Sequence, residues 1–133
     1  MAGAVRRYRD LEVWKRGVDL AVYCYRSTAS FPASERFGLA SQIRRAASSI
    51  PANIAEGCGR NHIREYLQFV GIANASLNEL ETHFVVARQL GMVPAEGFKE
   101  FLQRSARLGQ MLTRLRQVLR QRIGSPPDKV GPR

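Results

Sequence analysis

Residues 63–87 read IREYLQFVGIANASLNELETHFVVA. Their apolar positions Ile63, Tyr66, Val70, Ala73, Leu77, Leu80, Phe84 and Ala87 advance in steps of three and four, which keeps them on one side of an α-helix. Gly91 and Pro94 close this segment. On its N-terminal side, Leu39, Ile43, Ala46, Ala47, Ile50 and Ile54 mark a second helix with Pro51 inside the pattern. A proline there removes one backbone donor, so a kink is expected, with the carbonyl of Ala47 freed. Gly57 and Gly59 are read as the residues that end this helix.

Further toward the N-terminus, Leu11, Trp14, Val18, Ala21 and Tyr25 give the inward stripe of a first helix, stopped by Phe31-Pro32. Ser34 and Glu35 are candidate caps for the helix that follows. Toward the C-terminus, Phe98, Phe101, Leu102, Leu108, Leu112, Leu115 and Leu119 point inward from a fourth helix spanning 95–123. Gly124-Ser125-Pro126-Pro127 terminates it. No segment alternates as a strand would. Four helices of similar length joined by short loops predict an all-α, antiparallel four-helix bundle. Residues 11–123 form that domain, after a basic lead-in at 1–10 and before a Pro/Gly tail at 124–133.

The first helix carries a second apolar row, Val13, Gly17, Leu20 and Cys24. With about 100° per residue, the two rows cover about 200° of the circumference, twice the stripe a surface helix needs. Phe69, Ile72, Val86 and Leu90 lie outside the main stripe of the third helix in the same way. Scattered exposed apolar residues are ordinary. A surplus this wide is read instead as a self-association surface, with Val13, Gly17, Leu20 and Cys24 facing another copy.

Charge is the other strong signal. The 133 residues carry 21 Lys+Arg against 11 Asp+Glu, a net +10, and all but three of the basic residues are arginine. Arginine's planar fork suits phosphate, although a G+C-rich genome would produce the same bias. No acid occurs between Glu100 and Asp128, whereas Arg104, Arg107, Arg114, Arg116, Arg120 and Arg122 all do. Arg104, Arg107, Arg114 and Arg122 share one flank of the fourth helix, and Arg116 and Arg120 the other. Arg116 lies near enough to the stripe to be partly buried beside an acid of another helix. The remaining five are candidate phosphate contacts, against the plainer alternative of a solvated face.

A search for catalysis finds little. His62 and His83 show no ligand-spaced companion, so neither a metal nor a cofactor is expected. Glu79 and Glu81 are two apart and face different ways. Gly57-Cys58-Gly59 lacks the lysine of a phosphate loop, and Cys58 with His62 four residues on is a poor nucleophile candidate. The chain is read as no enzyme. Cys24 and Cys58 share no zinc or redox spacing. The charged start carries no signal-peptide core and no apolar run spans a bilayer, which points to a cytoplasmic protein free of membrane.

The stretch Ser41-Gln42-Ile43-Arg44-Arg45-Ala46-Ala47, continued by Ser49-Ile50-Pro51-Ala52-Asn53-Ile54-Ala55-Glu56-Gly57, resembles the small bacterial four-helix-bundle proteins encoded in intervening sequences of the 23S ribosomal RNA gene. Arg9-Asp10-Leu11-Glu12-Val13-Trp14, Gly59-Arg60 and Leu77-Asn78-Glu79-Leu80-Glu81-Thr82 fit that family too. The resemblance covers roughly Tyr8 to Arg122. It implies a homopentameric ring of basic bundles, suggestive of binding RNA or DNA, with no catalytic activity. The accessory variability protein of diversity-generating retroelements is a more distant likeness, and it implies a reverse transcriptase as a partner. The arginine-rich fourth helix departs from the family's commoner pattern, so its reading as a nucleic-acid surface rests on its residues alone. In the matched stretch, Ser41, Arg45, Ser48 and Ala52 lie opposite Ile43 and Ile50. Asn53 and Glu56 are placed to hold backbone groups disturbed by Pro51, and Arg44 or Arg45 to pair with Glu56, Glu79 or Glu81.

Overall fold

The computed structural model describes residues 7–124. The expected tail beyond Gly124, and the start of the lead-in before Arg7, lie outside the described residues. Four helices account for most of the chain: α1 Glu12–Thr28, α2 Leu39–Cys58, α3 Ile63–Gln89 and α4 Ala95–Ile123. Single turns of 3-10 helix at Tyr8–Asp10 and Ala33–Glu35 precede α1 and α2. No strand occurs among the described residues. Each helix packs on its neighbours in sequence, α4 closes back onto α1, and the diagonal pairs do not meet.

α3 is the most regular element because its stripe is unambiguous. All eight positions from Ile63 to Ala87 are buried, and Val70, Ala73, Leu80, Phe84 and Ala87 have no exposed surface. Phe84 stacks on Phe101 of α4 with ring centroids 3.9 Å apart. The helix ends in a Schellman turn: Met92 N–H donates to Ala87 O at 2.9 Å and Gly91 N–H to Arg88 O at 3.0 Å, with Gly91 at φ +79. Only glycine takes that φ without strain.

α2 runs unbroken through Pro51, which is buried. Its inner side is made of small residues, Ala46, Ala47, Pro51 and Gly57 beside Ile43, Ile50 and Ile54, so the flanking helices approach closely. A Cβ built on Gly17 of α1 would stand 3.4 Å from Pro51 Cβ. One built on Gly57 would stand 2.8 Å from Phe69 Cβ. Gly57 therefore lies inside the helix as the close-packing point with α3, not as a terminator, and Gly59 caps the C-terminus. At the other end Glu35, not Ser34, supplies the cap: its Oε1 accepts from Leu39 N–H at 3.1 Å. Asn53 Nδ2 donates to Ser49 O at 2.8 Å and Ser49 Oγ meets Ser76 Oγ at 2.8 Å, a polar tie between α2 and α3. Glu56 instead holds Arg60 of the same helix end at 2.7 Å.

The assignment of rows on α1 is corrected by the structure. Val13, Gly17, Leu20 and Cys24, expected to face another copy, are buried within the single chain; Leu20 is 1% and Cys24 0% exposed. This row packs on α2 at Gly17, where a Cβ would already be in van der Waals contact with Pro51 at 3.4 Å. The outward row is Val18, Val22 and Tyr25, with Val22 42% and Tyr25 45% exposed. Trp14 is half-buried and packs edge-on against Tyr8 at 5.2 Å. On α4, Leu102 is exposed, and Ser105 takes the buried position between Phe101 and Leu108.

Two glycines give opposite outcomes on substitution. Gly57→Ala forces Phe69 or the Tyr66 carbonyl to shift, and thermal melts are expected to show a loss of about 1–3 kcal/mol. Gly71 in mid-α3 has nothing within 4 Å of its Cβ position, so Gly71→Ala is expected to gain about 0.5–1 kcal/mol.

Candidate nucleic-acid interface

α4 is held by Phe101, Leu108, Leu112 and Leu119 on its inner side, which fixes where its arginines emerge. Arg104, Arg107, Arg114, Arg120 and Arg122 are all exposed. Arg104 is the most constrained. Its Nε donates to Glu100 Oε2 at 2.8 Å, and its guanidinium lies 4.9 Å from the centre of the Tyr23 ring of α1. Tyr23 in turn donates its O–H to Gly97 O at 2.7 Å, and burial raises its pKa above the ordinary phenol value. Arg107 lines the cleft between α1 and α4 with Arg16, Asp19 and Arg104.

Among the described residues, ion pairs join Arg16 to Glu12, Arg60 to Glu56, His83 to Glu79 and Arg104 to Glu100. Arg107, Arg114, Arg120 and Arg122 belong to none of them. Arg116 is half-buried as expected, but its Nε has no hydrogen-bond partner and no carboxylate within 4 Å. The acid that α3 might have offered is engaged elsewhere: Glu81 accepts from the buried Ser105 hydroxyl of α4.

Beside that contact a groove of about 720 Å³ runs between α3 and α4, with Asn74, Asn78, Gln110, Thr113 and Arg114 on its walls. The sequence reading did not single out these amides. Their i, i+4 placement on α3 and the serine interrupting the α4 stripe were the available signals.

Arg44 makes none of the three acidic pairs considered for it. Its Nε donates to Thr28 Oγ1 at 2.8 Å and its Nη2 to Tyr25 O at 3.1 Å, while its guanidinium lies 4.8 Å from the Tyr25 ring centre. It thereby caps the C-terminal end of α1, where a cation is favoured. Arg45 is exposed.

His83 has a companion that the spacing argument overlooked: Glu79 Oε2 lies 3.5 Å from its Nε2, one turn back. No group of three or more His, Cys, Asp and Glu side chains among the described residues is placed to hold a metal. No helix among them is long and apolar enough to cross a membrane.

A basic four-helix protein with an arginine-lined last helix is what this geometry defines. The family model for the 23S rRNA-intervening sequence protein matches residues 9–114, and the chain belongs to that family. Among solved structures it is similar to a protein of unknown function from the S23 ribosomal protein family of Bacteroides thetaiotaomicron VPI-5482. The two share 20% identity with a TM-score of 0.71, over 78% of this chain and 97% of that one. No curated protein matches the chain.

The two thiols differ sharply. Cys24 is fully buried and desolvation pushes its pKa up to about 12, whereas Cys58 is partly exposed. A thiol-specific reagent is expected to modify Cys58 first in the native protein and Cys24 only after unfolding. Because the folded-state pKa of Cys24 lies above its ordinary 9.0, this thiol's contribution to stability is complete below pH 9 and is lost as pH rises from there toward 12. A Cys24→Ala variant should flatten that part of the stability profile.

Proposed function

We propose that the protein is a non-catalytic nucleic-acid-binding accessory factor whose fourth helix contacts the phosphate backbone of RNA or DNA and which works as a homo-oligomer in the cytoplasm. The observation that carries this reading is the set Arg107, Arg114, Arg120 and Arg122, four exposed guanidiniums without a carboxylate partner on a segment with no acid beyond Glu100. Charges of one sign left unneutralised attract a polyanion and make its affinity depend on salt. Arg104, half-committed to Glu100, adds a fifth contact at the other end of the helix. The family's name refers to an intervening sequence of 23S rRNA, and the similar structure is assigned to a ribosomal protein family; both accord with an RNA context.

Self-association is supported by Val22, Tyr25, Ile72, Val86 and Leu90, large apolar side chains that one chain leaves 42–60% exposed. A closed ring of five, as the family resemblance implies, would cover them and bring several α4 helices into one field. The same apolar surface favours one competing reading, an adaptor that docks onto a reverse transcriptase. A reverse transcriptase gene beside this one would point to the adaptor, and an rRNA insertion would point to the first reading.

Fluorescence anisotropy with single-stranded RNA at a series of salt concentrations tests the proposal. Five phosphate contacts on a single strand give a slope of log affinity on log salt of about −3.5. Combined Arg107→Glu, Arg114→Glu and Arg122→Glu substitutions are expected to abolish binding while leaving the melting temperature in place. Undetectable binding at low salt, or unchanged binding by the triple variant, contradicts it. Light scattering should return several times 14.9 kDa; a monomer contradicts the oligomer.

A further inference from the structure

The loop between α1 and α2 holds the most exposed large apolar side chain among the described residues, Phe37, at 90%. Arg36 beside it has its guanidinium 5.8 Å from the ring centre. The nearest acid in sequence, Glu35, is turned away to cap α2 through Leu39 N–H at 3.1 Å, and Arg36 belongs to no ion pair among the described residues. Arg36 and Arg44 both line a cavity of about 410 Å³ under this loop, with Thr28 and Phe31 on its floor.

Resting on the nucleic-acid reading above, we propose that Phe37 and Arg36 form a stacking platform for an unpaired base, so that the protein prefers single-stranded nucleic acid over duplex. An aromatic ring 90% exposed, with a guanidinium over one face that belongs to no ion pair, offers what a splayed-out nucleotide needs: a π-surface for the base and a cation for its phosphate. A duplex, whose bases are already stacked, gains nothing from the ring. The platform is separate from the arginines on the C-terminal half of α4. The Tyr23–Gly97 hydrogen bond sets the end of α1 beside the start of α4, so the loop lies at the opposite end of the bundle from Arg114, Arg120 and Arg122.

Stacking and charge respond differently to salt, which makes the platform testable. The probe is fluorescein-labelled oligouridylate, compared with an RNA duplex of the same length, on the full chain. Phe37→Ala is expected to weaken oligouridylate binding roughly tenfold with an unchanged salt slope and unchanged duplex affinity. Phe37→Trp is expected to restore it, and Arg36→Ala to reduce the slope by about one. Phe37→Ala binding oligouridylate as well as the unsubstituted chain overturns the platform and leaves the α4 reading intact. A drop in the light-scattering mass of Phe37→Ala also overturns it, since the ring would then serve contact between copies. Failure of the unsubstituted chain to bind either probe removes both readings.

Discussion

The thinness of α2 governs how everything else is arranged. Its inner side sets alanine, proline and glycine among Ile43, Ile50 and Ile54; a Cβ at Gly57 would stand 2.8 Å from Phe69 Cβ and force a shift, and one at Gly17 would come into van der Waals contact with Pro51 at 3.4 Å. A helix this slim can sit between α1 and α3 while all three share one core. The proline that threatens its backbone also supplies the flat surface against which Gly17 packs. Once α1 is seated that way, its rotation is set. Leu20 and Cys24 go inside, and Val18, Val22 and Tyr25 are left on the outside of the chain.

The charge pattern follows from where the acids are spent. Glu12, Glu56 and Glu100 each hold an arginine one turn away, Glu79 faces His83, Glu35 caps α2 and Glu81 takes the Ser105 hydroxyl. Of these, Glu12 of α1 and Glu79 and Glu81 of α3 lie on the helices that flank α4, and their local commitments leave fewer carboxylates to cross to it. The second half of that helix therefore keeps its guanidiniums free. Exposed pairs of this kind contribute little to stability, so their larger effect is on the field that remains.

Helix positions, the α3 stripe and the loop lengths were legible because one period fits each of those segments and no other does. α1 was not, because two apolar rows an equal distance around the helix satisfy the same periodicity. Only the glycine in one of them, read as a packing site, would have decided the case. Gly57 was misread for a related reason: glycine near a helix end usually terminates it, and its contact with Phe69 lies in another segment of the chain. The arginines of α4 were legible as a set, but Arg104's tie to Glu100 and Tyr23, Arg44's capping of α1 and the Glu81–Ser105 contact depend on tertiary neighbours. The Glu79–His83 pair was available from its i, i+4 spacing and went unnoticed.

In this reading, binding comes from free guanidiniums on α4 meeting phosphate. Side-chain Nε–Hε NMR signals of the arginines, followed while RNA is added, test this most directly. The expected result is large shifts at Arg107, Arg114, Arg120 and Arg122, with Arg60 and Arg16, already held by carboxylates, unmoved. Saturable RNA binding that shifts Arg16 and Arg60 but leaves the α4 signals in place would contradict it.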